Sequence, residues 1–83
     1  MLNQIVLVGR LTNNPEIVNM DNGKAYTKIC LAVKRTYKNI NGEYDTDFIY
    51  CTLWQGIAEN TCNYCKKGDV IGVKGHVQSN NYE

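Results

Sequence analysis

The chain has 83 residues, which allows one domain, spanning residues 1–83, with a modest buried core. Nine Lys and Arg residues against eight Asp and Glu give a net charge of +1. This near-neutral balance argues against a duplex-DNA binder of the strongly basic type. No apolar run approaches the roughly 20 residues that cross a bilayer, and the first residues lack the features of a signal peptide. We therefore expect a soluble, cytoplasmic protein without a membrane partner.

The first strand is predicted from the β-branched apolar run at residues 5–8. The sequence NNP at residues 13–15 interrupts the extended pattern before a second short stretch at residues 16–20, so we expect one strand that is bent or interrupted. The sequence DNG at residues 21–23 is a strong turn signal, because glycine supplies the positive φ that a tight hairpin needs. A hairpin to a long second strand at residues 25–37 follows.

Two later strands alternate with period two. In the second strand, Ile29, Leu31 and Val33 share one face. The third strand, residues 46–54, separates its side chains by chemistry. One face carries Ile49, Cys51 and Leu53, and the other carries Phe48, Tyr50, Thr52 and Trp54. Periodicity does not say which face is inside, so the aromatic face is either core or a surface.

A helix is predicted at residues 57–66, where apolar and small residues recur at helical spacing. A fourth strand follows from residue 69 to residue 77. The order of three strands, a helix and a strand is that of an all-β OB-fold, a five-stranded Greek-key barrel, here with four strands and the helix between strands 3 and 4. The face and loops of such barrels bind oligonucleotides.

The cysteines do not predict a metal site. In a reducing compartment we expect four free thiols rather than disulfides. Cys62 and Cys65 have zinc-ligand spacing, but Cys30, Cys51 and His76 lie singly in strand-like segments and form no second ligand pair. We expect no cofactor, with the cysteines acting as small hydrophobic residues. His76 has no adjacent nucleophile or carboxylate, and no phosphate loop is present, so we expect no enzyme activity.

Four aromatic residues are candidates for base stacking: Tyr37, Phe48, Trp54 and Tyr82. Flat exposed rings beside Lys34 and Arg35 would suit unpaired bases and their phosphates. Residues 24–38 contain five basic side chains and no acidic one. On charge alone, this stretch is either a solvated strand surface or a phosphate-binding patch.

Five sequence stretches, covering nearly the whole chain, form a specific combination. They are residues 1–16 (MLNQIVLVGRLTNNPE), 22–25 (NGKA), 31–35 (LAVKR), 47–54 (DFIYCTLW) with AE at 58–59, and 66–75 (KKGDVIGVKG). Together they resemble the first four strands and the helix of the bacterial single-stranded DNA-binding protein family. The resemblance implies sequence-independent binding and protection of single-stranded DNA during replication, recombination and repair.

The resemblance also implies the roles of particular residues. The family's base-stacking residues correspond to Tyr37, Phe48, Trp54 and Tyr82. Some family members have Trp at positions where this chain has Tyr or Phe. Contacts to the DNA backbone fall to Lys34, Arg35 and Lys67, and also to Arg10. The family assembles as a homotetramer, so we expect a homo-oligomer, either a tetramer or a dimer.

The chain departs from the family's pattern at its C-terminal end. Family members continue past the position of Glu83 through a fifth strand and a flexible tail that recruits replication and repair proteins. We therefore expect a chain truncated before the last barrel strand; the alternative is that another chain or an altered register replaces the missing strand, since an unpaired edge is an aggregation template. An alternative function is a protein-protein module of a primosome-type complex, with the same fold and weak DNA binding.

Overall fold

The computed structural model describes residues 1–79. In chain order, these residues form β1 (Ile5–Leu11), β2 (Val18–Asn19), β3 (Ala25–Lys38), β4 (Tyr44–Trp54), α1 (Gln55–Tyr64) and β5 (Val70–Gly75). The strands make one antiparallel sheet. β3 pairs with β2, β1 and β4, and β1 also pairs with β5. None of the helical segments in the described part of the chain has the length and apolar character to cross a membrane.

The interruption predicted in the first strand separates it into β1 and β2. Pro15 is buried between them, and β2 pairs with the first two residues of β3, Ala25 and Tyr26. The predicted hairpin turn lies between β2 and β3, where Gly23 has a φ of 84°. The structure therefore has five strands where four were predicted, because residues 12–17 leave the sheet and divide the first predicted strand into two.

Gly9 directly precedes the point where β1 begins to pair with β3 as well as with β5. β1 pairs with β5 from Ile5 to Arg10, and with β3 at Arg10 and Leu11. A Cβ at Gly9 would lie 2.8 Å from the carbonyl oxygen of Ala32. Glycine is therefore required here, because it lets the backbones of β1 and β3 cross closely enough for the sheet to curl into a partly open barrel.

The core lies inside this curled sheet. Its centre is a cluster of fully or nearly fully buried side chains: Leu11, Ile29, Leu31, Leu53 and Ala58. Ile29 and Leu31 belong to the face of β3 that the alternation grouped together, and Leu53 to the aliphatic face of β4. Ala58 is the buried residue of α1, which packs on β3 and β4.

The helix begins two residues earlier than predicted. Trp54 is still extended, with a ψ of 147°, and Gln55 has a φ of 56°, so the chain turns from strand to helix in one step. At the other end, Cys65 is extended again and Gly68 has a φ of 96°. Lys66 and Lys67 therefore lie in the turn before β5 rather than in the helix.

Candidate nucleic-acid interface

The aromatic face of β4 points outward. Phe48 is 63% exposed, Tyr50 82% and Trp54 49%, whereas Leu53 on the opposite face is 7% exposed. The interpretation of these rings as core is therefore wrong. The physical reason is that the aliphatic faces of β3 and β4, together with Leu11 and Ala58, already fill the small interior.

Trp54 lies at one end of this face, beside an aromatic residue that the sequence pattern did not single out. Tyr26 is its cross-strand neighbour on β3, and the two ring centroids are 5.4 Å apart at an interplanar angle of 46°. Tyr26 also lines an open groove of about 550 Å³, together with Lys28 and the residues around Asn14. Alternation within β3, which groups Tyr26 with Lys28, was the available signal.

Phe48 lies farther along the same face, where its cross-strand partner is Ala32. Ala32 on β3 pairs with Phe48 on one side and with Arg10 on the other. Because the side chain of Ala32 is small, a second groove of about 390 Å³ opens above it, and Arg10 and Lys34 line this groove. Arg10 donates a hydrogen bond from Nη1 to the carbonyl oxygen of Gly68 at 2.6 Å, which orients its guanidinium.

The end of the β3–β4 hairpin, residues 34–47, is called the hairpin arm below. On it, Arg35 donates to both carboxylate oxygens of Asp47, from Nε and Nη2, each at 3.0 Å. Its Nη1 lies 3.8 Å from Asp45. The hydrogen bond to Asp47 is the main cause of a raised Arg35 pKa and of an Asp47 pKa below its ordinary value.

The ring of Tyr44 lies beside the ammonium groups of two lysines of the arm. The Nζ of Lys34 lies 4.9 Å from the centroid of the Tyr44 ring, and the Nζ of Lys38 lies 5.7 Å from it. Both distances are within the range of a cation–π interaction. Tyr44 and Lys38 were not among the predicted site residues, because their approach depends on the irregular register between Lys34 and Lys38.

The remaining predicted residues are Tyr37, Lys67 and Tyr82. Tyr37 is 64% exposed on the arm, where its electrostatic interaction also raises the pKa of Arg35. Lys67 lies in the turn after α1, and its backbone N–H donates to Asn14 Oδ1 at 2.8 Å. Tyr82 lies outside the described residues. The structure thus places Arg10 and Lys34 on one groove, and Phe48 is the cross-strand partner of Ala32 in that groove. Lys67 precedes Gly68, whose carbonyl oxygen accepts a hydrogen bond from the Arg10 guanidinium, so its turn adjoins Arg10.

The cysteines remain free within the described chain. Cys51 has a raised pKa, first because it is partly buried and second because Cys30 is nearby. In residues 1–79, no group of three or more His, Cys, Asp or Glu side chains is arranged to hold a metal ion. Cys65 packs against the core cluster as a small hydrophobic residue does.

A curled antiparallel sheet, a helix between its last two strands and an outward aromatic strand face define an OB-fold of the oligonucleotide-binding class. Comparison with protein families gives the particular family. The chain belongs to the single-strand binding protein family, whose model matches residues 2–83. The family is named for single-strand binding, and its curated members are named single-stranded DNA-binding proteins.

Curated relatives of the family align with the full length of this chain. It is 47% identical to single-stranded DNA-binding protein B of Bacillus subtilis and 51% identical to single-stranded DNA-binding protein A of the same organism. It is 49% identical to single-stranded DNA-binding protein 2 of Listeria monocytogenes. All 83 residues are covered in each case. The chain spans 74% of protein B, 48% of protein A and 52% of the Listeria protein.

Proposed function

We propose that this chain binds single-stranded DNA without sequence preference by stacking bases on Tyr37, Phe48 and Trp54. The proposal extends to Tyr82, which lies outside the described residues. The observation that carries it is the exposure of Phe48 and Trp54 on one strand face of the barrel. Every base has a flat face, so stacking on such rings contributes roughly 1–3 kcal/mol per base whatever the sequence.

The same face favours an unpaired strand over a duplex. Base pairs in a duplex are already stacked on each other, so exposed rings gain little from them. A net charge of +1 also gives weak attraction for the phosphates of a duplex. Binding therefore depends on rings that an unpaired strand can cover.

Phosphate contacts are assigned to basic side chains around the rings. Arg10 and Lys34 line the groove beside Phe48, so a strand whose base stacks on Phe48 passes within their reach. Lys67 extends the path toward the turn after α1. Arg35 contributes less to this proposal, because its Nε and Nη2 already donate to Asp47.

The whole protein is proposed to protect single-stranded DNA in replication, recombination and repair, in the cytoplasm at the nucleoid. We further propose that it acts as a homo-oligomer, a tetramer or a dimer, and meets replication and repair proteins. Support for self-association comes from β1. Within residues 1–79, its edge toward β3 is paired only at Arg10 and Leu11, and Val6 and Val8 are 65% and 61% exposed. An unpaired apolar strand edge favours pairing with another chain.

Fluorescence of Trp54, the single tryptophan, tests the proposal. Titration with oligo-dT should quench it, because a base stacks on the ring. A duplex of equal length at the same salt concentration should bind far more weakly. Equal affinity for both would indicate a plain electrostatic patch, and no affinity for either would favour a protein-protein module.

A further inference from the structure

The hairpin arm has two chemically different faces. Val33 pairs with Asp47, and the next pair along the ladder is Lys34 with Thr46. Neighbouring side chains of a strand point to opposite sides of the sheet, so Lys34 lies on one face of the arm and Asp47 on the other. Phe48 lies on the Lys34 face, because it is the next residue after Asp47 on the same strand.

On the Asp47 face, the guanidinium of Arg35 is paired with two carboxylates. Its Nε and Nη2 donate to Asp47, and its Nη1 faces Asp45. Asn39 donates from Nδ2 to Asp45 at 3.1 Å, while its Oδ1 accepts the backbone N–H groups of Asn41 and Glu43. Arg35 is therefore connected through Asp45 to the turn that ends the arm.

A phosphate that approached Arg35 would meet two carboxylates. The Nε/Nη2 side of the guanidinium is taken by Asp47 in a bidentate pair, which is the strongest geometry for an arginine and a carboxylate, and its Nη1 end faces Asp45. Asp45 and Asp47 would then repel the phosphate at close range. These contacts suit a residue that fixes the shape of the arm.

On the opposite face, the lysines have no such competitor. In the described part of the chain, no carboxylate lies within ion-pair distance of Lys34 or Lys38. Both ammonium groups lie near the Tyr44 ring, which leaves their positive charge available to a phosphate. Tyr44 is four residues from Phe48 on β4, so the Cα atoms of the two residues are roughly 13 Å apart along the strand.

We propose that DNA phosphates on the hairpin arm bind Lys34 and Lys38, which Tyr44 positions on the Phe48 face, whereas Arg35 is a structural partner of Asp45 and Asp47. This inference rests on the proposed binding of single-stranded DNA. It adds Lys38 as a contact and Tyr44 as a positioning residue, and it removes Arg35 from the phosphate contacts.

The salt dependence of oligo-dT binding by the 83-residue chain tests the proposal. For single strands, the slope of log K against log salt changes by about 0.7 for each phosphate that the protein no longer neutralises. Lys34→Gln and Lys38→Gln should each flatten the slope by that amount. Between about 50 and 200 mM salt, the affinity of each variant should then fall about 2.6-fold less than that of the wild type.

The matched control is the double variant Arg35→Gln with Asp47→Asn, which removes the ion pair and leaves the net charge of the arm unchanged. Its slope should equal that of the wild type, whatever the loss of the ion pair does to the absolute affinity. A slope flattened by about 0.7 in the double variant would overturn the inference. Unchanged slopes in both lysine variants would overturn it as well.

Two variants test the role of Tyr44. Tyr44→Phe keeps the ring, so it should preserve the wild-type slope, whereas Tyr44→Ala should flatten it because the lysines no longer share a common position. An unchanged slope in Tyr44→Ala would refute positioning by the ring. A wild-type chain without affinity for oligo-dT would refute the proposed function itself. If the wild type binds and only the double variant has a flattened slope, the proposed function stands and the assignment of the phosphate contacts to Lys34 and Lys38 is refuted.

Discussion

Replacing Phe48 by alanine removes the ring beside the groove that Arg10 and Lys34 line. A large aromatic side chain has about 200 Å² of surface, and Phe48 is 63% exposed, which leaves about 125 Å² available. One base covers one of the two ring faces, or about 60 Å². At about 25 cal/mol per Å², this area corresponds to about 1.5 kcal/mol. We therefore expect the Kd for oligo-dT to rise about tenfold.

Fluorescence anisotropy of labelled oligo-dT at one salt concentration measures this change. Tyr64→Ala is the control, because it removes a ring of similar size that is 82% exposed on α1, away from the strand face. It should leave the Kd unchanged. Stacking on Phe48 is refuted if the Phe48 variant, with an intact fold by circular dichroism, binds within twofold of the wild type, or if the Tyr64 variant shows an equal fall in affinity.

Three further predictions concern stability. Thr27→Val should raise the free energy of unfolding, measured in urea, by about 1 kcal/mol, because no residue among 1–79 hydrogen-bonds the buried Thr27 Oγ1. A decrease in stability would mean that the hydroxyl does have a hydrogen-bond partner. Gln55→Gly should raise it by about 1 kcal/mol, since glycine adopts a φ of 56° without strain, whereas Gln55→Ala should give no increase. The Arg35 hydrogen bond lowers the pKa of Asp47, so the ion pair stabilises the fold above the ordinary carboxylate pKa and loses that effect as the pH falls through the lowered value. The difference in Tm between the wild type and Asp47→Asn should therefore shrink between pH 7 and strongly acidic pH, and a constant difference would contradict this.

The order of elements was predictable because local signals determine it. The turn at Gly23, the apolar alternation of Ile29 and Leu31 and the helical spacing around Ala58 each agree with the observed fold. The start of the helix was not predictable. It depends on the positive φ of Gln55, a conformation that glutamine rarely adopts.

The candidate site was predictable only in part. Alternation grouped Phe48 and Trp54 on one face, but burial of that face depends on how completely the aliphatic side chains fill the interior. Tyr26 was missed although alternation within β3 groups it with Lys28, and Tyr44 was missed because its approach to the lysines follows from cross-strand register, which a single strand does not encode. The pairing of Arg35 with Asp47 depends on the same register.

The most direct test of base stacking compares oligo-dT with an abasic strand of the same length. Both carry the same phosphates, but only oligo-dT has bases that can stack on Phe48 and Trp54. We expect the abasic strand to bind at least about tenfold more weakly at equal salt concentration and to leave Trp54 fluorescence unquenched. Equal affinity for the two strands would show that phosphates alone are bound and would contradict stacking as the basis of recognition.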